Sequence, residues 1–165
     1  MECENRELER DFSFHAMIGR GGFGSVLLAS ERKTSETRAI KAVLKRRVEY
    51  GGRHAVRRAL LELKVLETLS SGSPFIVQAF SIKSSPDYWF IILEYCPGGS
   101  LSAHLRDARR RYKAWEKGKL EGGSSTYFHL GLGESRSRFY AIQIVCALSF
   151  LHRNGILHRD IKPSE

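Results

Sequence analysis

Residues 19–26 of this 165-residue chain, Gly19-Arg20-Gly21-Gly22-Phe23-Gly24-Ser25-Val26, follow the spacing G-x-G-x-x-G-x-V. Glycine has no side chain to hold a ligand off, so N–H groups in such a run can approach phosphate oxygens closely. A dinucleotide-binding turn uses the same glycines but must open a helix, whereas Val26, Leu27 and Leu28 continue as a strand. A Walker-type P-loop would end in G-K-[ST], which is absent. A plain glycine-rich hairpin with no ligand remains open at this point. Fifteen residues past Val26, Lys41 lies inside Ala39-Ile40-Lys41-Ala42-Val43. An ammonium in an apolar strand is costly unless paired. Glu62, set among Leu60, Leu61 and Leu63, asks for a partner in the same way. A pair between the two would satisfy both and would hold the ammonium over nucleotide phosphates. The third group is Ile156-Leu157-His158-Arg159-Asp160-Ile161-Lys162-Pro163, just beyond a helix end.

Several elements must position these groups. Apolar alternation predicts strands at Phe12 to Gly19, Ser25 to Ser30 and Arg38 to Leu44. Val56, Leu60, Leu63, Leu66 and Leu69 recur at steps of three or four and predict a helix from about His54 to Leu69. Ser73-Pro74 breaks the pattern, and two further strands follow, Phe75 to Ile82 and Tyr88 to Glu94. The CPGG run at 96–99 reads as a hinge between two bodies, because Pro cannot donate to a ladder and Gly is permissive. A short helix from Ser100 comes next, then an irregular, solvated insert over about 108–133. A helix from about Glu134 to Arg153 ends at Asn154-Gly155, a C-terminal cap.

Composition narrows the classes. With 27 Lys+Arg against 18 Asp+Glu the formal charge is +9, and 42% of residues are hydrophobic, enough for a core. Disorder and collagen-like composition are excluded. The charged opening and the absence of a long apolar run predict neither a signal peptide nor a membrane span. Cys3, Cys96 and Cys146 have neither paired nor metal-ligand spacing, which fits a reducing compartment, cytoplasmic or nuclear. Basic residues crowd residues 41–64 and 103–138, but neither segment interleaves aromatics as a base-stacking platform would, so nucleic acid is not the expected partner.

The glycine run, the A-I-K lysine and the H-R-D segment, in that order, resemble those of eukaryotic protein kinases. The resemblance implies an α+β fold: a kinase N-terminal lobe, with a five-stranded antiparallel sheet and one main helix, and the start of a helical C-terminal lobe. It divides the chain into a charged tail (1–11), an ATP-binding lobe (12–95), and a hinge with an incomplete second lobe (96–165). It implies ATP and Mg²⁺ as cofactors and a protein serine or threonine as substrate. Asp160 would be the base that accepts the hydroxyl proton. Lys162 resembles the lysine that steadies the transferring phosphoryl group in serine/threonine kinases. ATP would be held by Ile18, Gly19, Gly21, Gly22, Phe23, Gly24, Val26, Ala39, Lys41 and Glu62. Leu93 would stand behind the adenine as gatekeeper, with the Glu94 carbonyl and the Cys96 N–H as its hydrogen-bond partners.

Pro74-Phe75-Ile76-Val77, Gly98-Gly99-Ser100-Leu101 and Arg138-Phe139-Tyr140-Ala141 resemble the AGC group, and more loosely its G-protein-coupled-receptor kinase branch. Glu165 falls where the family pattern has an asparagine that helps hold Mg²⁺, and D-F-G and A-P-E do not occur. The expectation is therefore a segment of a kinase, inactive alone. The alternatives are a non-catalytic nucleotide-binding or interaction module and, from the glycines only, a dinucleotide-dependent oxidoreductase.

Overall fold

The computed structural model describes residues 6–20, 24–50, 52, 56, 65, 69, 72–118 and 131–163. The chain divides into two compact units, Met1–Cys96 and Pro97–Glu165. The first is built on five antiparallel strands: β1 (Phe12–Arg20), β2 (Gly24–Glu31), β3 (Thr37–Leu44), β4 (Ala79–Ser84) and β5 (Tyr88–Glu94). Their order across the sheet is β1-β2-β3-β5-β4. β3, the central strand, reads TRAIKAVL, a β-branched and apolar run with burial on both faces.

Because successive side chains point to opposite faces, this register sorts the residues into two sets. Ile40 lies opposite Ile92 and Ala42 opposite Phe90, and with Ala29 they form one buried cluster. Helix α1 (Arg6–Asp11) covers it, with Leu8 only 3% exposed and Phe12 4%. The charged tail expected at 1–11 is thus corrected for residues 6–11. Leu8 of α1 and Phe12, the first residue of β1, bury together, while the charged neighbours of Leu8 mask the signal in composition. Arg32 donates from Nε to the Glu9 carbonyl at 2.9 Å and from its main-chain N–H to the Asp11 carbonyl at 2.8 Å, which ties α1 to the β2–β3 turn. Asp11 pairs with Lys83 of β4. The Lys83 hydrogen bond, and then its charge, hold the Asp11 carboxyl below the usual carboxylate range. The stability this adds is present at neutral pH and is lost as acid protonates Asp11 below that range.

The opposite face carries Val43 and Ile91, packed with Val48 and with half-buried Val56, Ile82 and Leu93. Val48 belongs to helix α2 (Lys45–Tyr50), which the sequence reading lacked. Six residues are too few to show a period. What fixes α2 is Lys45, whose N–H donates to Asp87 O at 2.8 Å and whose ammonium binds Ser84 Oγ at 2.9 Å. Most of the helix expected over 54–69 lies outside the described residues; Val56, Val65 and Leu69 are helical and half-buried. β4 begins at Ala79 rather than Phe75. The Ser73 hydroxyl accepts the Phe75 N–H and the Ser73 carbonyl accepts the Ile76 N–H, both at 3.3 Å, which takes these donors from the ladder.

Gly24 opens β2 against the main chain of β3. A Cβ at this position would lie 1.8 Å from the Ala42 carbonyl oxygen and 2.9 Å from its carbon. Backbone in the middle of a sheet cannot yield that far. Gly24→Ala is therefore expected to destabilise the first unit by about 1–3 kcal/mol, the usual cost of overpacking. Urea unfolding of the two proteins checks this, and an unchanged midpoint would mean that β2 can move off β3.

In the second unit, α3 (Leu101–Glu116) and α4 (Glu134–Arg153) are the main elements. The insert expected from 108 is corrected in its first part: α3 runs sixteen residues, to Glu116. Asp107 binds Arg110 at 2.6 Å and Arg111 at 3.2 Å, pairs that support a helix through the arginine run. On the inner side Ala108 is buried, and the Tyr112 and Trp115 rings stand 5.9 Å apart. Residues 119–130 of the insert lie outside the described residues. Along α4, Phe139, Ile142 and Val145 are exposed, whereas Leu151 is buried.

Candidate functional site

In the first unit the register gathers one set of expected residues. Val26 of β2 pairs with Lys41 of β3, and Ala39 of β3 pairs with Leu93 of β5. Since Ala39 and Lys41 are two residues apart, all four stand on the same face of the sheet, the one that bears Val43 and Ile91. Ala39 is buried; Val26, Lys41 and Leu93 are half-buried. Lys41 thus sits in a strand whose core demands apolar neighbours, on the face opposite the one that α1 covers.

Gly19 lies opposite Val26, and Arg20 opposite Ser25, where β1 and β2 converge on the glycine run. Among the described residues, a Cβ at Gly19 would meet only the Val26 side chain, at an ordinary 3.5 Å. The two described glycines of the motif therefore differ. Gly24 is demanded by the fold, while no described residue forbids a methyl group at Gly19. Ile18, beside it, is exposed. Gly21, Gly22, Phe23 and Glu62 lie outside the described residues, as does the Lys41–Glu62 pairing.

At the end of β5 the Glu94 side chain folds back on the strand. Its Oε2 accepts the Gln78 N–H at 3.1 Å, its own N–H donates to Gln78 O at 2.9 Å, and Cys96 Sγ donates to Oε1 at 3.6 Å. These bonds occupy the carboxylate locally and fix the direction in which the main chain leaves the sheet through 95–96. Partial burial, and then the Glu94 charge, push the Cys96 thiol up, so it stays protonated at neutral pH. Cys96 is accordingly a poor nucleophile.

The second unit holds the other set. α4 ends as Asn154-Gly155 requires: the Ile156 N–H returns to Leu151 O at 2.9 Å, and the Gly155 N–H to His152 O at 3.0 Å. Gly155 has φ +73°, the left-handed value that makes glycine the natural residue there. This cap turns the chain into 156–163. Arg159 also takes a left-handed φ, +64°, which a non-glycine residue adopts at a cost of about 1–3 kcal/mol and which clusters at functional loops. The Asp160 N–H donates to His158 Nδ1 at 3.3 Å, and the Asp160 carboxylate pairs with Lys162. The loop's far end is held by α3, whose first-turn Ser102 N–H donates to Pro163 O at 2.6 Å. First-turn N–H groups have no partner within their own helix, so this bond anchors the loop and completes the helix end together.

Asp160 and Lys162 are both exposed, so the pair is available to a ligand. No group of three metal-ligating side chains occurs among the described residues, and Glu165 lies outside them. No described helix is long and apolar enough to cross a membrane.

Residues 12–165 match the family model described as protein kinase domain. Over 152 residues the chain is 34% identical to protein kinase C eta type of Mus musculus and to protein kinase C-like 1B of Caenorhabditis elegans, which covers 92% of this chain. Over 147 residues, 89% of the chain, it is 33% identical to serine/threonine-protein kinase nrc-2 of Neurospora crassa. It spans about a fifth of the length of these relatives: 19%, 18% and 20%.

Proposed function

The chain belongs to the protein kinase domain family, and from that premise we propose that it supplies the ATP-binding lobe and catalytic loop of a protein serine/threonine kinase. The observation that carries this reading is the register that sets Val26, Ala39, Lys41 and Leu93 on one sheet face. Apolar side chains there suit the two faces of an adenine, and a single ammonium among them suits a phosphate chain. Ile18, Gly19 and Gly24, with Gly21, Gly22 and Phe23, cover the phosphates through main-chain N–H groups. Leu93 backs the adenine, and the Glu94 carbonyl and Cys96 N–H form its hydrogen bonds. Glu62 is the carboxylate assigned to Lys41.

In the reaction, the substrate hydroxyl oxygen bonds to the γ-phosphorus while the bond to the β–γ bridging oxygen breaks. ADP leaves, and the hydroxyl proton passes to Asp160. Lys162, which pairs with Asp160, lies two residues on and offers its ammonium to the transferred phosphoryl oxygens. Mg²⁺ would screen the phosphate charge when bound with the nucleotide; no residue is assigned to it. Exposed free thiols at Cys96 and Cys146 accord with a reducing, intracellular compartment.

The test has two parts. A fluorescent ATP analogue is titrated into the 165-residue chain. Phosphate transfer to a serine-containing peptide is then measured with a chimaera carrying this segment in place of the matching part of a relative's catalytic domain. Weak binding is expected in the 165-residue chain and transfer in the chimaera, and the 165 residues alone, in which D-F-G does not occur, serve as the blank for transfer. Binding without transfer would favour a non-catalytic nucleotide-binding module instead. Gly19→Ala adds a discriminating measurement: unfolding should be unchanged, because the methyl group fits, whereas ATP affinity should fall several-fold as the loop is kept off the phosphates. Unchanged affinity would remove Gly19 from the site.

A further inference from the structure

Helix α3 carries its charge in a pattern that neither its own packing nor the catalytic loop uses. Ala108 is buried, and Leu101, Leu105 and Tyr112, at helical spacing from it, are half-buried, which defines the inner face. Arg106, Arg110 and Lys113, and Lys117 at the helix's C-cap, follow at steps of four, three and four. At 3.6 residues per turn they fall in one stripe on the opposite side, about 16 Å long. All four are exposed, and Arg109 flanks them. Arg110 is bound to Asp107; among the described residues no ion pair engages Arg106, Arg109, Lys113 or Lys117. Like charges stacked along a helix repel each other by a few tenths of a kcal/mol per pair, so, apart from the Arg110–Asp107 pair, the stripe does not stabilise the helix.

We propose that this stripe is a docking surface for an acidic segment of a partner protein, one with several Asp or Glu side chains in a short run. The cations are separated along the axis by about 6, 4.5 and 6 Å, close to the spacing of same-side carboxylates on an extended chain, about 7 Å. Duplex or single-stranded nucleic acid fits less well. Tyr112 and Trp115 pack against each other on the half-buried side, which leaves the stripe without a stacking platform, and four phosphate contacts give weak binding at physiological salt. An anionic membrane surface fits less well too, because a helix lying in a bilayer interface buries apolar side chains and the stripe presents none.

The test uses the 165-residue chain, a fluorescein-labelled twelve-residue peptide of alternating Glu and Ala, and two charge-matched variants. One is Arg106→Gln/Lys113→Gln/Lys117→Gln, which spares the Arg110–Asp107 pair and keeps good helix formers in α3. The other removes three exposed charges elsewhere: Lys33→Gln/Arg46→Gln/Arg136→Gln. Anisotropy is expected to show peptide binding weakened roughly tenfold in the first variant, the sum of three solvated ion pairs, and less than about twofold in the second. Equal losses in the two variants would show that only net charge attracts the peptide, which overturns the proposal. So would no binding by the parent chain, or tighter binding to a twelve-nucleotide RNA or to phosphatidylserine vesicles.

Discussion

Lys41→Met in the chimaeric kinase is expected to lower phosphate transfer by about 10²- to 10³-fold, the usual loss when one preorganised electrostatic group is removed from developing charge. Folding should survive. Lys41 is half-buried in the central strand, between Val26 and Ile91 in register, and Met keeps nearly the same length and volume there. The thermal unfolding midpoint is measured alongside the transfer rate, so that a misfolded protein is not mistaken for an inactive one. A rate within tenfold of the parent, with the fold intact, would take Lys41 out of the mechanism.

Asp160→Asn tests the second unit. Asn has the same shape but cannot accept the hydroxyl proton, so kcat is expected to fall by about 10²- to 10⁴-fold, the range for general base catalysis. The KM for ATP should change little, because Asp160 is assigned to the hydroxyl and not to the nucleotide. The side chain is exposed and pairs with Lys162 two residues on, while the α4 cap and the Ser102–Pro163 bond hold the two ends of the loop, so the loop is expected to keep its shape. A mutant that kept its turnover but lost ATP affinity would reverse the assignment.

The strands were legible from sequence where burial follows a simple period. The expected β5, Tyr88 to Glu94, and α4, Glu134 to Arg153, coincide with the observed elements. The Asn154-Gly155 cap was equally plain, since a left-handed φ has a residue signature. Elements whose stability comes from a distant partner were not legible. α2 depends on Lys45 reaching the β4–β5 turn, and α1 on Leu8 finding a sheet face made by residues 29–92. The late start of β4 comes from a local contest, in which the Ser73 hydroxyl and carbonyl win donors that alternation had assigned to a ladder. Motif spacing named Lys41 and Asp160. Only the strand register could show that Lys41 shares its face with Val26, Ala39 and Leu93.

The burial of Leu8 also governs how this protein can be handled at the bench. The family match begins at residue 12, and a boundary drawn there would discard α1 while keeping the surface it shields. Ala29, Ile40, Phe90 and Ile92 would then meet solvent as a contiguous apolar floor, the kind of exposure that drives a recombinant domain into inclusion bodies. A deletion series should accordingly give soluble protein while the cut stays ahead of Arg6 and lose it between Leu8 and Phe12. The serviceable amino-terminal limit is therefore set by what roofs the sheet, and it falls at least four residues before the homology does.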